Sequence, residues 1–169
     1  MSYTFMKNFV GVNCTDFEML QVPRPRTELT LHITLKTVQS GVILGSLAGA
    51  STALIQGGSY GDAQTKAANF GLKGAAIGLV AGPLLTALTM RNQPDHAIYD
   101  RCYRLRFNTT TLFYDRVSVA GGAVGALLGG GPGFVFGVDA SVIGSMVLRY
   151  MFGRTKQDVV DVQKIKDAM

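Results

Sequence analysis

Two long stretches of this chain carry almost no charge. Between Thr37 and Met90 the only Asp, Glu, Lys or Arg residues are Asp62, Lys66 and Lys73, and between Val117 and Leu148 there is only Asp139. A soluble domain covers its surface with polar groups and averages roughly 25% charged residues. Here the share is 16% and mean hydropathy is +0.24. The same low charge, with 47% hydrophobic residues, excludes a disordered chain. A collagen-like chain is excluded by the lack of a Gly-X-Y period and by having only five prolines. The solvent that suits these blocks is lipid.

Each block is longer than the roughly 20 residues that one spanning helix needs. The first divides at the polar, Gly-rich run Gln56–Lys66, which gives spans at about 38–55 and 67–90. The second divides at Gly129-Gly130-Gly131-Pro132-Gly133, a run that interrupts a helix. It gives spans at about 113–129 and 134–152. The expected fold is therefore an all-α membrane protein with four glycine-rich transmembrane helices. A polar N-terminal segment (1–36) precedes this domain (37–152), and a charged amphipathic tail (153–169) follows it. The competing architecture is a soluble all-α domain. It would bear roughly 1 kcal/mol for each glycine in a helix interior, and 21 of the 169 residues are glycine.

The glycines recur at four-residue intervals. The first span carries Gly41, Gly45 and Gly49; the second Gly71, Gly74, Gly78 and Gly82; the third Gly121, Gly125 and Gly129; the fourth Gly137 and Gly144. Small residues spaced this way let helix backbones approach closely in lipid, where apolar side chains gain little by meeting each other. The spacing predicts helix packing through these faces. A second reading of the same spacing is a pore or lateral cavity.

Lys73 and Asp139 are the charges nearest the span centres, and an intramembrane charge is a functional candidate by default. They are expected to pair with each other or with a partner. Lys73, read as six or seven residues into its span, can also snorkel to the headgroups, and ion or substrate conduction is a further reading. Of 16 Lys and Arg residues, four lie up to Lys36, five from Arg91 to Arg116 and five from Arg149 onward. With four spans these segments share one side, which the positive-inside rule puts in the cytosol or matrix.

Arg101, Arg104, Arg106 and Arg116, interleaved with aromatics, are candidate contacts for lipid headgroups; nucleic acid is the lesser reading. His32 and His96 are isolated, so no metal site is expected. Cys14 and Cys102 are read as free thiols, with one disulfide as the other possibility. The run Gly129–Gly133 lacks the Lys-Ser/Thr of a phosphate loop, and no nucleophile elbow or catalytic carboxylate pair is present. No catalytic residue, cofactor or small-molecule substrate is expected. The first 20 residues, with Lys7, Asp16 and Glu18, do not read as a secretory signal.

The run Asp115–Leu128, followed by Gly131-Pro132 and by Ala140–Gly144, resembles the third and fourth spans of the mitochondrial inner-membrane translocase superfamily. The resemblance covers about Gly41 to Phe152. That superfamily includes protein-import channel subunits and an accessory subunit of respiratory complex I. This chain has the nearly neutral GGSYGDAQTK where import subunits carry a basic loop, and it has no tryptophan. Its basic linker, Arg91–Arg116, is more similar to the complex I subunit. The resemblance implies a multi-pass, non-catalytic protein of the mitochondrial inner membrane. Such a protein packs against core membrane-arm subunits, stabilises them and contacts phospholipid, cardiolipin included. The alternative it implies is a pore or scaffold subunit of a translocase. It also places both termini in the intermembrane space, opposite to the charge count.

Overall fold

The computed structural model describes residues 3–152, and these are helical apart from short connections. Two short helices, α1 (Tyr3–Val10) and α2 (Asp16–Leu20), precede two long ones, α3 (Pro25–Ile55) and α4 (Tyr60–Met90). Then come α5 (Asp95–Phe107) and α6 (Thr109–Phe152). The charged tail from 153 lies outside the described residues.

Local chemistry sets the boundaries. A capping box opens α2, Thr15 accepting from the Glu18 amide while the Glu18 carboxylate accepts from the Thr15 amide. Pro25 starts α3, where its missing N–H costs nothing. At the end of α3 the Gly57 and Gly58 amides donate to Leu54 and Ala53, Gly57 adopting φ +68°. A second capping box, Ser59 with Asp62, opens α4. The Asn108 side chain accepts from the Thr111 amide and opens α6.

These boundaries differ from those expected. The helix holding the first span begins at Pro25 rather than near 38, because nothing between Pro25 and Val38 breaks a helix. The polar segment 1–36 is thus two short helices and the first third of α3. The turn after α3 is only Gln56–Ser59, so α4 already includes Asp62 and Lys66. The linker Arg91–Arg116 is mostly α5 and the start of α6.

Helices α3, α4 and α6 are each long and apolar enough to cross a membrane. Thirty-one residues make a helix of about 46 Å, against roughly 30 Å of hydrocarbon. The surplus of α3 projects beyond the apolar layer and is covered by the short helices. There Val22, Leu29, Met90, Ile98 and Cys102 form one buried cluster. The N-terminal helices and α5 therefore meet at one end of the bundle.

Antiparallel α3 and α4 approach through small residues. A methyl group added at Gly41 would collide with the Gly74 carbonyl, one at Gly45 with Phe70, and one at Gly49 with Lys66. Gly78 abuts Thr37, and Gly82 abuts Thr34. Helix α6 keeps helical geometry except at Gly129 (φ −139°, ψ 17°) and Gly130 (φ 60°, ψ −140°). After this break Gly133 lies against Gly125, and Gly137 against Gly121. Residues eight and sixteen apart would be about 12 and 24 Å distant in one straight helix, so the two halves of α6 lie side by side. Gly129, expected at a packing face, has nothing within 4 Å, because it forms the bend instead. Val135, Val138 and Val142 of the second half bury Val42 of α3.

Candidate functional site

The polar residues of the helical end are organised around two buried carboxylates, Glu28 and Asp115, each in an ion pair. Glu28, His32 and Lys36 follow one another at four-residue intervals on α3 and so share a face. Opposite them stand Arg106 of α5 and Asp115 of α6. Arg106 grips Glu28 through two hydrogen bonds, Nε to Oε2 at 2.9 Å and Nη2 to Oε1 at 2.6 Å. Both side chains are nearly inaccessible, at 1% and 4% exposure. Its remaining Nη1 donates to the carbonyls of Glu18, Met19 and Gln21, which ties α2 and the turn after it to α5. This bidentate geometry suits a guanidinium, whose planar fork matches a carboxylate.

Asp115 is the second centre. Its Oδ1 accepts from Lys36 at 2.5 Å and from Gln39 at 3.0 Å, and its Oδ2 lies 3.3 Å from His32 Nδ1. Gln39 also donates to Ser118 Oγ at 2.6 Å. Arg116, one residue on, donates to the Phe9 and Asn8 carbonyls, and Asn8 returns a bond to the Arg106 carbonyl at 3.0 Å. Between the two pairs is a cavity of about 10 Å³ bounded by Glu28, His32, Cys102, Arg106 and Asp115. It is about the size of one water.

Neighbouring ionisable groups are tuned by this packing. Cys102 is buried, its thiol donating to the Pro25 carbonyl at 2.9 Å. Burial first, and the negative Glu28 second, push that thiol up to about 11. Glu18 is held below the usual carboxylate range by the Thr15 amide and then by Lys7, 3.0 Å away. Neither cysteine forms a disulfide.

The four arginines expected at lipid headgroups divide into two pairs. Arg101 and Arg104 are exposed, Arg104 bonding Asp100 at 2.5 Å across one helical turn. Arg106 is not a headgroup contact, because the Glu28 carboxylate and three carbonyls hold its guanidinium inside the protein. Arg116 is half-buried and donates to the Phe9 and Asn8 carbonyls of α1. His96 is exposed on α5. Glu28, His32, Lys36, Gln39, Asp115 and Ser118 were not candidates from the sequence, although the Glu28–His32–Lys36 interval was a readable signal.

Lys73 and Asp139 do not pair. Asp139 sits beside Ser46 under the second half of α6, with its Oδ1 buried and without a hydrogen-bond partner among the described residues. Lys73 points to the other side of α3 and α4, its Nζ 5.5 Å from the centre of the Phe70 ring. In α4, which begins at Tyr60, Lys73 is close to the middle of the helix. It lines an open groove of about 780 Å³ between α3 and α4, together with His32, Lys36, Ser40, Gly41 and Gly74. No three His, Cys, Asp or Glu side chains among the described residues are grouped to hold a metal ion.

Three long apolar helices, buried ion pairs confined to one end and an open lateral groove define a helical, multi-pass membrane protein. The chain belongs to the family described as Protein of unknown function (DUF1757), which it matches over residues 5–148. No curated protein matches it.

Proposed function

We propose that this chain is a non-catalytic accessory subunit of mitochondrial respiratory complex I, which stabilises assembly of the membrane arm in the inner membrane. The observation that carries the reading is where the buried polar groups point. Glu28 meets Arg106, and Asp115 meets His32, Lys36 and Gln39, so these groups fasten helices to one another. None of them lines an enclosed chamber of substrate size; the cavity beside them is water-sized. In this reading the domain crosses the bilayer four times, α6 contributing two spans on either side of Gly129-Gly130. Its spans pack through the G-x-x-x-G faces, and its exposed Arg101 and Arg104 meet phospholipid headgroups, cardiolipin among them. The likeness of Asp115–Leu128 to the translocase superfamily supports the assignment.

The test is to resolve inner-membrane complexes on a native gel and locate the chain by mass spectrometry. Complex I membership requires that it co-migrate with NADH dehydrogenase activity in a megadalton band. Finding it wholly in a separate, smaller assembly that captures a carrier precursor overturns the reading. That result would favour the alternative, a pore or scaffold subunit of a protein translocase, for which the lateral groove speaks.

A further inference from the structure

We propose that the groove between α3 and α4 is an intramembrane site for one anionic phospholipid, whose phosphate is held between Lys36 and Lys73. The proposal rests on these helices lying in a bilayer and not on membership of any complex.

Three observations lead there. The first is unneutralised charge. Lys73 has no carboxylate within ion-pair distance among the described residues, and its ammonium lies over the Phe70 ring near the middle of a spanning helix. A cation at that depth is costly unless an anion reaches it. Lys36 faces the same groove and is already paired with Asp115. Two ammonium groups and one carboxylate leave a single positive charge, which one phosphodiester neutralises.

The second is spacing. Gly41 abuts Gly74 and Gly78 abuts Thr37, so Lys73 lies about 9 Å further along the bundle than Lys36 at 1.5 Å per residue. A phosphate between them is within reach of both flexible side chains. It would rest against Ser40, which continues the polar stripe of His32 and Lys36 down α3.

The third is the shape and lining of the space. Past Lys73 the walls are Leu44, Gly45 and Phe70, suited to an acyl chain. The groove is open along its length and offers about 780 Å³, room for an acyl chain.

The experiment uses the purified full chain reconstituted in vesicles of phosphatidylcholine with phosphatidylglycerol, then extracted in detergent. Native mass spectrometry reads which lipid stays bound. One phosphatidylglycerol should be retained in preference to phosphatidylcholine. Lys73→Met should lower that preference at least about five-fold, the discrimination that one lysine supplies at a membrane surface. Lys73→Arg should restore it, and Arg91→Gln, an exposed cation outside the groove, should leave it unchanged. Ile77→Trp, which fills the groove without altering charge, should expel the lipid and serves if Lys73→Met does not fold. Equal retention of both lipids by the wild type overturns the proposal. So does loss of the lipid on changing Arg91 alone. Cross-linking from Ser40→Cys in native membranes to an acidic helix of another protein, in place of lipid, also overturns it.

Discussion

Arg106 shows how much one side chain decides at the polar end. It satisfies the Glu28 carboxylate and three backbone carbonyls from a position with 1% exposure. Removing one partner of a buried ion pair leaves the other charge stranded, at a cost of about 3–5 kcal/mol. Arg106→Met should therefore destabilise the protein by that order, measured by circular dichroism during denaturant unfolding in detergent. Glu28→Met together with Arg106→Met should recover most of the loss, since an apolar pair needs no compensation. No recovery would mean that the carbonyl contacts, and not the ion pair, carry Arg106. Cys102 offers a second readout at this scale. With its thiol pushed up to about 11 it stays protonated at neutral pH, and the thiolate is the reactive species. Iodoacetamide at neutral pH should label the half-buried Cys14 and spare Cys102, as peptide mass spectrometry would show. Equal labelling would indicate that α5 lifts away from α3.

At the level of helices the glycines fall into three physical kinds, although the sequence spaces them alike. Gly41, Gly45, Gly74, Gly121 and Gly125 sit where an added methyl would overlap a facing backbone or side-chain atom. Gly130 holds a bend at φ 60°, ψ −140°, a conformation closed to other residues at about 1–3 kcal/mol. Gly144 has nothing within 4 Å and is simply helical. Gly45→Leu or Gly125→Leu should force backbones apart and prevent assembly. Gly130→Ala should cost about 1–3 kcal/mol, whereas Gly144→Ala should gain about 0.5–1 kcal/mol from helix propensity. Thermal melts of the four variants in one detergent would check the order. A Gly125→Leu variant as stable as the wild type would refute close approach at that contact. The four-residue rhythm is local and was legible in the sequence. Which glycine meets which partner was not, because Gly41 and Gly74 come together only when two helices cross.

For the whole molecule, the arrangement of charge has consequences for topology. The N-terminal helices and α5 are joined through Arg106, Asn8 and the Val22–Cys102 cluster, so they lie on one side of any membrane that the long helices cross. On the proposed inner-membrane location, trypsin added to sealed mitoplasts should therefore cleave after the exposed Arg26 and after Arg91 together or spare both. Cleavage of one with protection of the other would contradict the joined end. If both are cut once the outer membrane is opened, that end faces the intermembrane space, as the superfamily likeness implies. If both are spared until the inner membrane is lysed, the positive-inside count is the better guide.

The sequence by itself determined the solvent, the approximate helices and the small-residue faces. Each of these depends on residues near one another in the chain, where a gap in charge or a four-residue interval is visible. Only the tertiary structure decided the partners. Glu28 and Arg106 are 78 positions apart, and Lys36 and Asp115 are 79, so no local period connects them. The same is true of Lys73 and Asp139, the two central charges expected to pair with each other or with a partner. Their positions within helices were readable, but the packing of α6 on one side of α3 and α4 put them on opposite faces. Asp139 is half-buried with its Oδ1 covered, and Lys73 is left in an open groove without an acidic neighbour among the described residues. A charge reads the same in the sequence whichever way its helix turns, and rotation is fixed only when the bundle packs.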